Sequence, residues 1–333
     1  MTDSDCTIRP PVADEADAVA RLWSVMAEQH RAYDADVWCW SQDAVRHWRK
    51  KFIELLDGDD TIARVAADPD GELVGYALCK AKDSSPLYAT RRTGEVWDLL
   101  VQPGRRRGGV GRRLMAAALE GLRRRGAEDA ILHVALANTG AEAFYERLGM
   151  QAVMYRMYKR LATGGSAPAR HAAQAAAARI RPARAEDTEP LSRLWGILAE
   201  QARSYPGRVW ADHDRVVAQW RTRVAKEVDQ PDMVVLVIEA ENGRIVGFVE
   251  AQAEDSAPIF ATRRTGEVWN VVIHPDHRRR GLGTRLMAAA FVQLRERGCD
   301  DAVLHVDICN RAAGRFYEKA GMRRVMSRMY RKL

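Results

Sequence analysis

The chain has 333 residues, enough at ordinary domain size for two domains with a core each. With 47% hydrophobic and 29% charged residues it reads as a soluble globular protein, and no apolar run approaches the roughly 20 residues that span a bilayer. The polar, acidic start from Met1 to Pro11 is no secretory signal, and the net charge of +7 leaves two readings, a nucleic-acid face or anion binding over a solvated surface. In chain order, Thr7 to Arg9 is a short strand ended by Pro10-Pro11. Asp14 caps a helix with Val19, Leu22, Trp23 and Met26 on one face. A second helix covers Gln42 to Leu56. Ile62 to Ala67 is a strand, Asp68 to Gly71 a turn and Leu73 to Cys79 the returning strand. Val96 to Val101 is a further strand. Gly109 to Arg125 is a helix with Val110, Leu114, Ala118 and Leu122 along one side. Ala130 to Ala135 is a strand, Ala141 to Leu148 a helix closed by Gly149, and Val153 to Tyr158 a last strand. This order predicts an α/β fold, a mixed sheet flanked by helices.

The whole pattern occurs twice. Thr90 to Trp97 reads TRRTGEVW, and so does Thr262 to Trp269, an offset of 172 positions. The same offset carries Ile8-Arg9-Pro10 onto Ile180-Arg181-Pro182, Trp48 onto Trp220, Asn138 onto Asn310 and Arg156-Met157-Tyr158 onto Arg328-Met329-Tyr330. Each repeat is too long for a solenoid unit and is a whole domain. Leu161 to Ala178, with Gly, Ser and Pro first and an Ala-rich run after, reads as a linker whose second half is helix-forming. The expected domains are residues 1–160 and 179–333, with 161–178 between them.

After the strand at Leu99-Leu100-Val101, the segment Arg105-Arg106-Arg107-Gly108-Gly109-Val110-Gly111-Arg112 opens directly into a helix. Free N–H groups and the positive dipole end of a helix bind phosphate, glycines let backbone approach the anion, and arginines add charge. The second copy has Val271-Val272-Ile273, then Arg278-Arg279-Arg280-Gly281-Leu282-Gly283-Thr284. The third Arg run, Arg123 to Arg125, ends a helix, where cations suit the dipole. There is no Walker lysine and no GxGxxG. Five cysteines at irregular spacing (Cys6, Cys39, Cys79, Cys299, Cys309) suggest reduced thiols in a cytoplasmic protein and no metal site.

The pattern Arg106-x-x-Gly109-x-Gly111, repeated as Arg278-x-x-Gly281-x-Gly283, resembles the pyrophosphate motif of the GNAT superfamily of N-acetyltransferases. Asn138-x-x-Ala141-x-x-Phe144-Tyr145-x-x-x-Gly149-Met150 resembles that family's second cofactor motif, and Asn310 to Met322 repeats it. The resemblance covers nearly all of each repeat. It implies two consecutive acyl-CoA N-acyltransferase domains, each with a central mixed sheet splayed for the pantetheine arm, and acetyl-CoA as cofactor. Segments Leu99 to Val101 and Val271 to Ile273 would line that arm and offer oxyanion N–H groups. Loop residues Arg106 to Arg112 and Arg278 to Thr284 would hold the phosphates, and Asn138 and Asn310 would touch the cofactor.

The implied reaction is direct acetyl transfer to an amine. Tyr145 and Tyr317 match the family's acid position; the competing reading is a packing aromatic. For the base, Glu95 and Glu267 stand where protein acetyltransferases of the family place a catalytic Glu; the competing reading is a structural Glu paired with Arg91 or Arg92. Asp98 is a rival carboxylate, but its counterpart is Asn270, so it matters only if the first copy alone is active. His133 and His305 match each other and read as hydrogen-bonded strand residues. The acceptor region of the first copy, with Glu28, His30, Arg31, Tyr33, Asp34, Asp36, Trp38, Trp40 and Trp48, combines acids and aromatics that suit a cationic amine. The second copy has lost His30, Asp34 and Trp40 there and gained Arg208. A small-molecule amine or a protein lysine fits as acceptor, without nucleic acid or membrane as partner. The alternative is an acetyl-CoA-binding sensor or scaffold in one or both halves. The pair of copies suggests a pseudo-two-fold monomer, or a homodimer.

Overall fold

The computed structural model describes residues 6–84, 92–161, 178–205, 213–257 and 259–333. The expected helix in the linker lies outside them. In the first half the elements are β1 (Thr7–Arg9), α1 (Ala16–Tyr33), α2 (Gln42–Leu56), β2 (Thr61–Ala67), β3 (Leu73–Asp83), β4 (Arg92–Val101), α3 (Val110–Arg124), β5 (Asp129–Ala135), α4 (Thr139–Arg147) and β6 (Gln151–Arg160). Helix α2 has the bounds read from the sequence, and the Ser41 hydroxyl caps it by accepting from the Ala44 N–H at 3.1 Å. Asp14 is not the cap of α1. Ala13–Glu15 form a 3-10 turn ahead of the helix, and Glu15 closes it by accepting from the Val12 N–H at 2.8 Å and from Arg9. The second half repeats the order: β7 (Arg179–Pro182), α5 (Thr188–Arg203), α6 (His213–Glu227), β8 (Met233–Glu239), β9 (Ile245–Asp255), β10 (Arg264–Ile273), α7 (Leu282–Glu296), β11 (Asp301–Asp307), α8 (Arg311–Lys319) and β12 (Arg323–Lys332).

Strands β2 and β3 are covered on both faces, which is why they read as near-continuous apolar runs. Helix α3 packs Leu114, Ala118 and Leu122 on one face. Helices α1 and α2 pack Trp23, Met26 and Phe52 on the other. A tryptophan pair marks that layer in each half, Trp23 on Trp48 at 5.5 Å and Trp195 on Trp220 at 5.4 Å. Gly94, the glycine of the repeated octapeptide, lies under α3: a Cβ there would come within 2.5 Å of Leu122 Cδ1. No helix among the described residues is long and apolar enough to cross a membrane.

One sheet of twelve strands runs through both halves, in the order β1-β2-β3-β4-β5-β12-β6-β11-β10-β9-β8-β7. The last strand of each copy is exchanged. Strand β12 pairs antiparallel with β5, from Met326–Ala135 to Lys332–Asp129. Strand β6 pairs in return with β11, from Arg160–Asp301 to Met154–Asp307. The two exchanged strands pair with each other at the centre. Met329 is therefore buried in the first half's core and Met157 in the second's. Removing such a side chain to Ala costs about 2–5 kcal/mol. We expect Met329→Ala to speed hydrogen exchange in β5 and α3, and Met157→Ala to do so in β11 and α7. The opposite assignment, read by exchange mass spectrometry, would contradict the crossover.

Candidate active site

Strand β4 pairs in parallel with β5 only from Thr93–Asp129 to Val96–Leu132, and β10 with β11 only from Thr265–Asp301 to Val268–Leu304. Both strands of each pair run on past that point without pairing to each other, so each half has a splayed groove. The edge of the groove is Leu99 to Val101 in one half and Val271 to Ile273 in the other. Leu100 and Val272 turn their side chains into the core beneath the first two helices, so only their main chain faces the groove.

At the end of β4, Arg107 (φ 71°) and Gly109 (φ 92°) adopt left-handed backbone, and Gly109 starts α3. Nothing lies within 4 Å of where a Gly109 Cβ would stand. Left-handed residues beside the free N–H groups of a helix make an open anion cradle. Arg279 (φ 61°) and Gly281 (φ 76°) build the same cradle before α7. Arg106 and Arg278 tie the loop to the strand, each Nε donating at 2.9 Å to the carbonyl of Val101 or Ile273. Val110 and Leu282 are buried under their helices. Asn138 and Asn310 cap α4 and α8, accepting from the Ala141 and Ala313 N–H at 3.2 and 3.1 Å.

A cavity of about 1590 Å³ opens on the first cradle. Arg106, Arg107, Gly109, Gly111 and Arg112 line it, as do Leu99 to Val101, Asn138 and Tyr145. The expected cofactor residues of the first half, Gly108 and Val110 excepted, thus share one space, joined by Trp38, Trp48 and Asp98 from the acceptor side. Ser256, Ile259 and Phe260 of the second half complete the wall. That contribution had no signal in the sequence of either copy alone. Burial, with the charges of Cys79 and Asp98 adding, pushes the Tyr145 phenol up, so it stays protonated. Tyr317 is raised by burial alone.

The two carboxylates of β4 stand differently. Glu95 is not among the cavity's lining residues: it pairs with Lys82 at 2.7 Å and accepts from the Trp97 indole at 3.1 Å. Arg92 pairs instead with Asp60 and Asp83, and Arg91 lies outside the described residues. Asp98 lines the cavity, and burial pushes its carboxyl up to about 7, opposed by the Tyr76 hydroxyl and the Trp48 indole. The Tyr76 hydroxyl makes no hydrogen bond of good geometry, so its effect is that of a nearby dipole.

In the second half the same positions form a closed network. Glu250, fully buried, replaces Leu78; Arg223 replaces Lys51; Asn270 replaces Asp98. Glu250 accepts from Arg223 and Asn270, both at 2.6 Å, and from the Trp220 indole at 3.2 Å. Arg223 also stacks on Trp269 at 5.0 Å. A buried charge with three donors is satisfied and hard to open. Arg208 of the expected acceptor region lies outside the described residues. Glu267 meets His305 at 3.5 Å. Burial pushes this carboxyl up, but His305, Arg156 and the Trp269 indole outweigh it and draw it down to about 2. His133 and His305 hydrogen-bond to each other across the two halves, Nε2 to Nε2 at 3.1 Å, and burial pushes both downward.

The family model described as Acetyltransferase (GNAT) family matches residues 22–150 and 194–322. The chain belongs to this family. It is 31% identical over 295 residues to a mycothiol acetyltransferase of Thermobispora bispora, spanning 85% of this chain and 83% of that protein. A mycothiol acetyltransferase of Thermobifida fusca is 27% identical, over 78% of each chain. The fold matches a GCN5-related N-acetyltransferase from Sphaerobacter thermophilus with a TM-score of 0.63 at 20% identity, over 100% of this chain and 97% of that one. It also matches a tandem GNAT protein from the clavulanic acid biosynthesis pathway with a TM-score of 0.53 at 18% identity, over 98% of each. The protein is therefore an acetyl-CoA-dependent N-acetyltransferase with two potential active sites, as its two motifs lead one to expect. Both cradles set a left-handed anion nest beside a splayed strand edge, the features that the pyrophosphate and pantetheine of the cofactor call for.

Two outcomes follow. A β-branched residue at positive φ costs about 1–3 kcal/mol and fills the cradle. Calorimetry should count two acetyl-CoA sites per wild-type chain, one in Gly109→Val and none once Gly281→Val is added. Asp98 binds its proton more tightly folded than unfolded, where 3.8 is the ordinary value. Folding is therefore penalised increasingly as pH climbs from 3.8 to about 7, and the penalty then stays constant, on the order of 4 kcal/mol. Asp98→Asn should raise the melting temperature at pH 8, with a gain that shrinks toward pH 5.

Proposed function

We propose that the first half carries out the acetyl transfer, onto the amine of a small molecule seated in its cavity, while the second half binds acetyl-CoA without turnover. The observation that carries this reading is the contrast between Asp98 lining an open cavity and the Arg223–Glu250 pair closing the equivalent positions. A space enclosed by Trp38, Trp48 and Phe260 suits a small acceptor better than a protein segment. Relatives of matching length are named mycothiol acetyltransferases, which makes an acceptor of that kind one to test. Two halves joined in one sheet around a pseudo-two-fold axis support a monomer.

Acetyl-CoA, when bound, supplies the acetyl carbonyl and a thiolate leaving group. Asp98 takes the proton from the acceptor's ammonium and frees the nitrogen lone pair. A carboxyl near 7 suits that task at neutral pH. Its surroundings are Tyr76 and Cys79 of β3, Trp48 of α2 and Tyr145 of α4. Main-chain N–H groups at the splayed edge of β4 face the developing oxyanion. Tyr145, protonated and lining the same cavity, gives its proton to the departing sulfur. Glu95, bound to Lys82 and Trp97, orders the strand next to the site.

On this reading the rate with a reactive amine rises with pH and levels off above about 7, as Asp98 loses its proton. Asp98→Asn should lower kcat by about 10²–10⁴-fold and remove that inflection. Tyr145→Phe should lower kcat while acetyl-CoA affinity holds. Glu267→Gln and Tyr317→Phe should leave turnover nearly unchanged. Loss of half or more of the turnover in either of these two variants would contradict the assignment to the first half.

A further inference from the structure

Arg156 lies in β6, between His305 of β11 and Met326 of β12, and lines the large cavity. Its guanidinium stacks on the Phe260 ring at 5.2 Å. Phe260 is fixed in turn by the main chain around it: the Cys39 N–H donates to the Ile259 carbonyl and the Ala261 N–H to the Val37 carbonyl, both at 2.9 Å. The acids that act on Arg156 are Glu267, Asp301 and Glu254, and they do so through space. Among the described residues no carboxylate pairs with it at ion-pair distance. Glu267 is engaged with His305, and Asp301 accepts from Thr262. Arg156 is thus a half-buried, held cation facing a cavity, with three carboxylates acting on it only from a distance and none in contact.

The cofactor's phosphates have their own cradle at α3. Asp98, on β4, is separated from Arg156 by two intervening strands, β5 and β12, three strand spacings that amount to at least about 14 Å because β4 and β5 have splayed apart at that level. We infer that the acceptor is an amine that also carries an anionic group, a carboxylate or a phosphate, and that Arg156 binds that group while the amine lies toward Asp98. The inference rests on the first half being the working one. It makes the second half a builder of the acceptor site, through Phe260.

The test is calorimetry on the chain loaded with CoA, using matched pairs of probes: glucosamine 6-phosphate against glucosamine, and lysine against cadaverine. The expected result is at least about tenfold tighter binding of one anionic member over its partner, since a charge-assisted contact supplies that much. The pair that shows it tells phosphate from carboxylate. Arg156→Gln should erase the preference and Arg156→Lys retain part of it, with CoA affinity unchanged as the check on folding. Phe260→Leu, which keeps the wall but frees the guanidinium, should weaken it. Equal binding of both members in both pairs, or a preference that survives Arg156→Gln, overturns the inference. Turnover is scored separately: an anionic amine that binds through Arg156 but is never acetylated supports the anion site and overturns the catalytic reading of the first half.

Discussion

Main-chain pairing of β12 with β5, and of β6 with β11, is the constraint on which the rest of the molecule depends. Each half lacks its own last strand at the edge of the splayed groove and receives the other's. Met329 and Met157 then fill cores on opposite sides of the centre. An unpaired β5 or β11 would present an open sheet edge and an uncovered apolar face. The halves therefore share a fold in the strict sense. The exchange also brings His133 against His305, and it sets Arg156 of the first half between two strands of the second.

Because the halves are locked in this way, they need not be chemically equal. Both keep a left-handed glycine at the start of the cofactor helix, a capping Asn and a Tyr on the helix it caps, buried in the first half and partly buried in the second. They part at three of four positions packed together between the second helix and the sheet, the fourth being a tryptophan in both. In the first half these are Trp48, Lys51, Leu78 and Asp98, and they border open space. In the second, Trp220, Arg223, Glu250 and Asn270 bind one another. One carboxylate has in effect moved from β4's position to β3's, and its charge has gained a fixed partner. A carboxyl without such a partner rises toward neutrality, as Asp98 does; one with three donors is committed to structure.

Much of this was legible in the sequence because it is local. The bounds of α2, the element order and the Gly-Arg loop follow from periodicity and from backbone freedom at Gly109 and Gly281. The exchange was not legible, for a definite reason. Segments Val153 to Tyr158 and Val325 to Tyr330 carry the same pattern, so either satisfies the edge of β5, and no side-chain alternation tells them apart. Glu95 looked like the stronger base because its position is kept in both copies. Its pairing with Lys82 depends on register across β3 and β4. The Leu78-to-Glu250 change was visible at the fixed offset, a charge appearing inside an apolar strand. What it paired with became plain only once α6 and β10 were in place.

The central claim, one working acetyltransferase site beside one that only holds cofactor, has a direct test in single turnover. The chain is loaded with two equivalents of labelled acetyl-CoA, then mixed with excess acceptor amine and an unlabelled acetyl-CoA trap. The account predicts one acetyl group transferred per chain in the fast phase, with the second equivalent recovered as unreacted acetyl-CoA. Two fast transfers per chain would contradict it.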